Sequence, residues 1–98
     1  MIVEIVDLGA WGAASLVAEY DPEDDAIRVN ARAVDVVRAA LGDAEAECFI
    51  RVAIAHETYH RAHPGASEAA AHAHARATCG GDSGRYESAL RAARGRSR

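Results

Sequence analysis

Residues 49–63 read FIRVAIAHETYHRAH, and this stretch decides how the chain folds. The apolar residues before the first histidine fall on most sides of a helix, as in the central helix of a small domain. In a helix, His56 and His60 share one face, so both imidazoles can reach one metal ion. Glu57 is rotated by about 100° from His56, where it can take a proton from a metal-activated water.

A turn and another helix follow the histidines. Pro64 and Gly65 are predicted to end the helix just past His63. Ser67 can then cap a third helix, which we expect to run from residue 68 to about residue 78 before Gly80 and Gly81 stop it. The chain therefore reverses direction directly after the histidine motif.

The third metal ligand depends on how tight this reversal is. A short turn brings Glu68, at the start of the returning helix, close to the level of His60. With a wider turn, His72 becomes the better ligand, because it lies four residues after Glu68 on the same helix face. The third ligand is therefore either Glu68 or His72, and the sequence favours Glu68.

The first half of the chain is predicted to supply a small sheet. Residues 2–7 are apolar and β-branched, which suits a short strand or the start of a packed helix. Residues 16–20 and 26–30 are two extended runs around an acidic, proline-containing turn at residues 21–25, as in a hairpin. The sheet is expected to be antiparallel or mixed.

Capping residues mark the other helices. Asn30 is predicted to cap a helix that runs through Leu41, with Gly42 as its stop and Asp43 as the cap of the histidine-bearing helix. A last amphipathic helix is expected from Tyr86 to Ala93. We predict a single domain over residues 1–94, followed by a disordered Arg-rich tail at residues 95–98.

Composition limits the classes of function. The 98 residues suffice for one core, and the formal net charge is −4. The 11 basic residues are all Arg, and the acids are concentrated in the first half, which argues against a general nucleic-acid binder. No stretch reaches the roughly 18 apolar residues of a membrane helix, and nothing resembles a signal peptide. Cys48 and Cys79 suit a reduced compartment, as packing residues or free thiols, so a cytoplasmic protein is expected; a disulfide between them is possible, but nothing in their spacing requires it.

The order of elements resembles that of the glutamate-zincin metallopeptidases, especially the minigluzincins. Residues 68–73 read EAAAHA and are similar to the E-A-x-x-x-A helix of the ImmA/IrrE-type peptidases. The resemblance spans roughly residues 16–78. It implies an α+β, minimal zincin-like fold in which a small sheet packs on the HExxH helix and a following ligand helix. The gap before Glu68 is shorter than is usual in those families, and Ala70 replaces a polar residue.

The resemblance also implies site roles. His56, His60 and Glu68 would bind Zn²⁺, Glu57 would be the catalytic base, and the strand at residues 27–29 would be the edge that aligns an extended protein or peptide substrate. A hydrolase of this kind also needs a group to stabilise the oxyanion. The candidates for oxyanion or substrate contact are His72, Tyr86 and His63.

Purely structural roles are also possible for three of the aromatic and histidine residues. Tyr86 could anchor the last helix by aromatic packing, and His63 could cap the C-terminus of its helix. Tyr59 could occupy a core position. The favoured function is a zinc-dependent metallopeptidase. The alternatives are a catalytically silent zincin-like module that binds metal and a protein partner, and a structural α+β domain without metal.

Overall fold

The computed structural model describes residues 1–9, 17–80 and 84–96, which form a small α+β domain. In chain order the elements are β1 (Ile2–Val6), β2 (Ala18–Asp21), β3 (Ala26–Asn30), α1 (Ala31–Leu41), α2 (Asp43–Ala62), α3 (Glu68–Ala75), a 3-10 turn (Thr78–Gly80) and α4 (Gly84–Arg96). Among the helices described, none has both the length and the apolar character that crossing a bilayer requires.

The described strands form a mixed sheet in the order β1-β3-β2. β1 runs parallel to β3, with Val3 beside Ile27, and β2 runs antiparallel to β3, with Tyr20 beside Ile27. Residues 2–6 are therefore a strand rather than the start of a helix. β3 lies in the centre of the sheet, so the expectation that residues 27–29 form an edge is wrong; β2 is an edge strand and packs against α2.

The core lies between the central strand and the helices. Ile27 and Val29 of β3 are fully buried and pack in one cluster with Val37 of α1, Phe49 of α2 and Leu90 of α4. These two strand residues point to the same face because side chains alternate along a strand. The helix α2 thus joins the sheet to the other helices.

β1 is covered much less well than β3. Val3 and Ile5 point to the same face as the buried Ile27 and Val29, yet they are 44% and 49% exposed. On the opposite face, Glu4 accepts from the Arg28 guanidinium at 3.3 Å. Within the described residues, the helical layer therefore covers the centre of the sheet and leaves β1 at its margin.

The predicted caps are largely confirmed. Asn30 Oδ1 accepts from the backbone N–H of Arg32 at the start of α1, and Ser67 Oγ accepts from that of Ala70 at the start of α3. Gly42 ends α1 with φ 97°, a left-handed region that favours glycine. Asp43 does not cap α2: Gly42 holds that position, and the Asp43 carboxylate pairs with Arg38 at 3.2 Å.

The last two helices differ from the prediction in their lengths. α3 ends at Ala75 rather than near residue 78, because the Ala77 N–H bonds the carbonyl of His74 in a tighter turn and the chain leaves the α-helical ladder. α4 begins two residues before Tyr86 and its helical backbone continues to Arg96, past the expected start of the tail. Residues 97 and 98 lie outside the described part of the chain.

Asn30 links three segments and is the only buried polar residue among those described. Its Oδ1 also accepts from the N–H of Leu8, and its Nδ2 donates to the carbonyl of Gly9. We expect Asn30→Ala to lower the free energy of unfolding by about 2–3 kcal/mol, because it removes a helix cap and leaves buried backbone groups without a partner. Urea denaturation measures this.

The matched control is Ser67→Ala, which removes the exposed cap of α3. This variant should lower the free energy of unfolding by about 1 kcal/mol or less, since water can replace the lost hydrogen bond. Equal losses for the two variants would contradict the special role of the Asn30 network.

Candidate metal centre

Three side chains converge where α2 and α3 meet. The ligand atoms of His56, His60 and Glu68 all lie within 4.8 Å of one another. Glu68 Oε2 is 3.1 Å from His56 Nε2, and Glu68 Oε1 is 2.7 Å from His60 Nε2. The two imidazoles reach the same place because their residues are one helical turn apart on α2.

The turn between the helices brings Glu68 to this place. α2 ends at Ala62 with His63 as its C-cap, and the Ala66 N–H donates to the His63 carbonyl at 3.0 Å. Gly65 has φ 86°, which reverses the chain within a few residues. Glu68 is the first residue of α3 and therefore faces the last turn of α2. His72 lies one turn further along α3 and is not part of the three-residue cluster.

The three donor atoms are spaced so that they could hold a metal ion. His60 Nε2 is buried and makes no hydrogen bond among the described residues; the nearby Glu68 oxygen lies out of line with the ring N–H. Ligand atoms around tetrahedral zinc stand about 3.3 Å apart for bonds of about 2.0–2.1 Å. The His56–Glu68 distance is close to that value, and Glu68, at 82% exposed, is free to widen the His60–Glu68 distance.

Glu57 lies beside this cluster and is less exposed to solvent than the three candidate ligands. Its side chain is 12% exposed, and one of its oxygens is 3.9 Å from His56 Nε2. Burial raises the pKa of Glu57 to about 7; the charge on His60 opposes this rise, while Glu68 and Glu19 add to it. A carboxyl group with such a pKa exchanges protons readily near neutral pH.

An open cleft of about 240 Å³ lies over these residues. His56 and Glu57 form its floor from α2, Glu68 contributes from α3, and Ala18 of the edge strand β2 lines it from the side. The cleft therefore combines a candidate metal site, a titratable carboxyl group and a strand edge.

The other sequence candidates occupy different environments. His72 and Tyr86 both line the cleft. Tyr86 is 3% exposed, its ring packs edge-on against Phe49, and its hydroxyl oxygen accepts from Arg85 Nη2 at 2.8 Å. His63 lies at the end of α2, outside the set of residues that line the cleft.

Tyr59 was expected in the core, but it does not lie there. It is half-buried between two histidines, with ring centroids 4.4 Å from His63 and 5.0 Å from His74. These ring contacts connect the end of α2 with α3 and so support the turn that carries Glu68.

A further contact that the sequence did not suggest fixes the end of α2 to the hairpin. Arg61 donates to both carboxylate oxygens of Asp25, at 2.7 and 3.2 Å, and the Tyr20 hydroxyl donates to the same carboxylate at 2.9 Å. The Arg61 guanidinium, followed by the Tyr20 hydroxyl, holds the pKa of Asp25 well below its usual range. No local pattern could reveal a pair separated by 36 residues.

Comparisons with protein-family models, curated proteins and solved structures find no match for this chain. The resemblance to the glutamate zincins therefore rests on the motif and the order of elements, and an activity for this site is a proposal.

The buried Glu57 carboxyl group should make the stability of the metal-free chain depend on pH. Its folded-state pKa of about 7 exceeds its unfolded value, so its contribution favours the folded state fully below about pH 4.5 and is lost as the pH rises through 7. We expect Glu57→Gln to be more stabilising at pH 8 than at pH 4.5, by on the order of 2 kcal/mol. Urea denaturation in the presence of a chelator measures this.

Comparing the two proteins at each pH cancels the other titrating groups. Glu87→Gln, which removes an exposed carboxyl group from the same cleft, is the control and should show little pH-dependent difference. A Glu57→Gln effect that does not vary between pH 4.5 and pH 8 would contradict the raised pKa.

Proposed function

We propose that this chain is a minimal zinc-dependent metallopeptidase of the glutamate-zincin type. The observation that carries the proposal is the convergence of His56, His60 and Glu68 beside an open cleft that His56, Glu68 and the nearly buried Glu57 line. Two imidazole nitrogens and a carboxylate are a donor set typical of catalytic zinc. A structural zinc site would call for a fourth protein ligand, and the cluster among the described residues has three.

Each residue has a defined task in this proposal. Zinc, when bound, supplies Lewis-acid polarisation of the substrate carbonyl and lowers the pKa of water. His56, His60 and Glu68 hold the ion, and Glu57 accepts a proton from the attacking water and passes it to the leaving amine. Burial raises the pKa of Glu57 in the metal-free chain to about 7, and the charge of a bound zinc ion would lower it from that value.

The edge strand β2 is the proposed platform for an extended peptide substrate. The Val17 carbonyl accepts from the Asn30 N–H at 2.7 Å, so by antiparallel alternation Ala18 and Tyr20 direct their backbone groups away from β3. Within the described residues, no strand pairs with this outer edge. A peptide added there as a further strand would pass along the cleft that Ala18 lines.

His72 is the better candidate for stabilising the oxyanion. It lines the cleft and is partly exposed, whereas Tyr86 is 3% exposed and its ring packs against Phe49. Tyr86 then serves mainly as the packing anchor of α4 against Phe49.

The second candidate is a module that binds metal and a protein partner without cleaving it. The burial of Tyr86 favours this alternative, because a side chain that is only 3% exposed is less accessible to a substrate oxyanion than His72. Metal binding and catalysis must therefore be measured separately.

We expect the chain to bind one zinc ion, with His56→Ala, His60→Ala and Glu68→Ala each weakening affinity. The histidine variants should lose roughly 100-fold or more, since each removes a direct ligand. Isothermal titration calorimetry with zinc measures the affinity and stoichiometry.

His72→Ala is the matched control on the same helix and should bind zinc with unchanged affinity. Loss of affinity in His72→Ala, with none in Glu68→Ala, would identify the alternative ligand set. Full affinity in a His56→Ala, His60→Ala double variant would exclude this metal centre altogether.

Catalysis is tested with Glu57→Gln, which keeps the shape of the side chain and removes the proton acceptor. We expect zinc affinity to be preserved and cleavage to fall by roughly 10²–10⁴-fold. Unfolded casein and a peptide library, analysed by mass spectrometry, serve as substrates.

Glu87→Gln is again the control and should cleave at the rate of the unmodified chain. Cleavage that survives in Glu57→Gln would remove the proposed mechanism. Zinc binding by the unmodified chain without cleavage of any substrate would favour the binding module.

A further inference from the structure

The two cysteines come together beside the first half of α2, about two turns before His56. Cys48 lies on α2 and Cys79 lies in the turn at Thr78–Gly80, and both are free and half-buried. The thiol of Cys48 lies near that of Cys79, and Arg51 Nη1 donates to Cys79 Sγ at 3.8 Å. Nothing in the spacing of these residues along the chain predicted this contact.

We propose that Cys48 and Cys79 form a redox-reactive pair that hydrogen peroxide converts to an intramolecular disulfide. The site is separate from the candidate metal centre, and the proposal does not depend on zinc binding or on peptidase activity.

The arrangement of α2 supports the pairing. Cys48 and Arg51 are three residues apart, so both face the turn that carries Cys79. Cys79 itself has φ 55° and ψ 42°, a left-handed conformation that is uncommon for a residue other than glycine. The turn packs directly on α2, so the two cysteines lie on contacting segments.

The surroundings assign different roles to the two sulfurs. The Arg51 guanidinium lies next to the Cys79 sulfur, and reactive cysteines are typically found in such electropositive, partly exposed surroundings. Hydrogen bonding to Cys79, together with burial, raises the pKa of Cys48, so Cys48 keeps its proton longer. Cys79 is therefore the attacking cysteine and Cys48 the resolving one.

The reaction is balanced with one peroxide. The Cys79 thiolate attacks one peroxide oxygen, the O–O bond breaks, and the departing hydroxide is protonated to water, which leaves a sulfenic acid. Cys48 then loses its proton and attacks this sulfur, the S–O bond breaks, and a second water leaves. The two sulfurs together lose two electrons, which the peroxide gains.

The disulfide would enclose the candidate site in a covalent ring. The segment from Cys48 to Cys79 contains His56, His60 and Glu68, so oxidation ties the turn after α3 to α2. Closing a loop of this length restricts the unfolded chain and stabilises the folded one.

The test is peroxide treatment of the reduced full-length chain with a chelator present. We expect both free thiols to disappear, the intact mass to fall by two hydrogens, and peptide mapping to find the Cys48–Cys79 link. The melting temperature should rise by at least roughly 5 °C and return after reduction with dithiothreitol. Persistent thiols, intermolecular dimers or sulfinic acid at either cysteine would overturn the proposal.

Single variants test the order of attack. Cys48→Ser should stop at a sulfenic acid on Cys79 that dimedone traps, and Cys79→Ser should leave Cys48 reduced at the same peroxide dose. Trapping of equal amounts in the two variants would overturn the assigned roles.

Arg51→Gln should slow disulfide formation by roughly 3–10-fold, with Arg51→Lys restoring part of the rate. The control is Arg91→Gln on the exposed face of α4, which should leave the rate unchanged. A rate that is equally slow in Arg51→Gln and Arg91→Gln would remove Arg51 from the mechanism.

Discussion

The unbroken course of α2 is the constraint on which the rest of the structure depends. This helix of 20 residues buries Phe49 and Ala53 in the core with its first half and carries His56 and His60 in its last turns. A continuous helix about 30 Å long transmits any shift at one end to the other. The core that supports the sheet and the geometry of the candidate metal centre are therefore set by the same packing, and Arg61 with Asp25 fixes the far end.

Features that depend on local interactions were predictable from the sequence. Asn30 and Ser67 are caps because their side chains bond the backbone two or three residues later, which a sequence pattern records directly. The shared face of His56 and His60 follows from helical spacing alone. The position of Glu68 followed from the short turn, once Gly65 allowed the chain to reverse. Asp43 was assigned wrongly because glycine can hold an N-cap position without a side chain, which leaves the carboxylate to Arg38.

Features that depend on long-range pairing were not predictable in this way. In the order β1-β3-β2, the second strand of the hairpin lies in the centre because β1 pairs with it in parallel. No local sequence pattern in β3 predicts this pairing with β1. The same limit applies to the contacts of Arg61 with Asp25 and of Cys48 with Cys79, which join distant segments. For the candidate site, the histidines and carboxylates could be predicted from the sequence, but the position of β2 beside the cleft could not.

The weak cover over β1 divides the sheet into two levels of local stability. Val3 and Ile5 are about half exposed, so β1 buries less apolar surface than β3 and depends more on polar contacts. These are its backbone hydrogen bonds to β3, the Glu4–Arg28 pair and the contacts of Met1 and Ile2 with Asp25. Such a strand can separate while the core around Ile27 stays packed, since subglobal opening begins where few apolar contacts are lost. Opening of β1 would uncover a second edge on β3 and leave the β2 edge beside the cleft intact. We therefore expect β1 to open before the unit formed by β2, β3 and the helices.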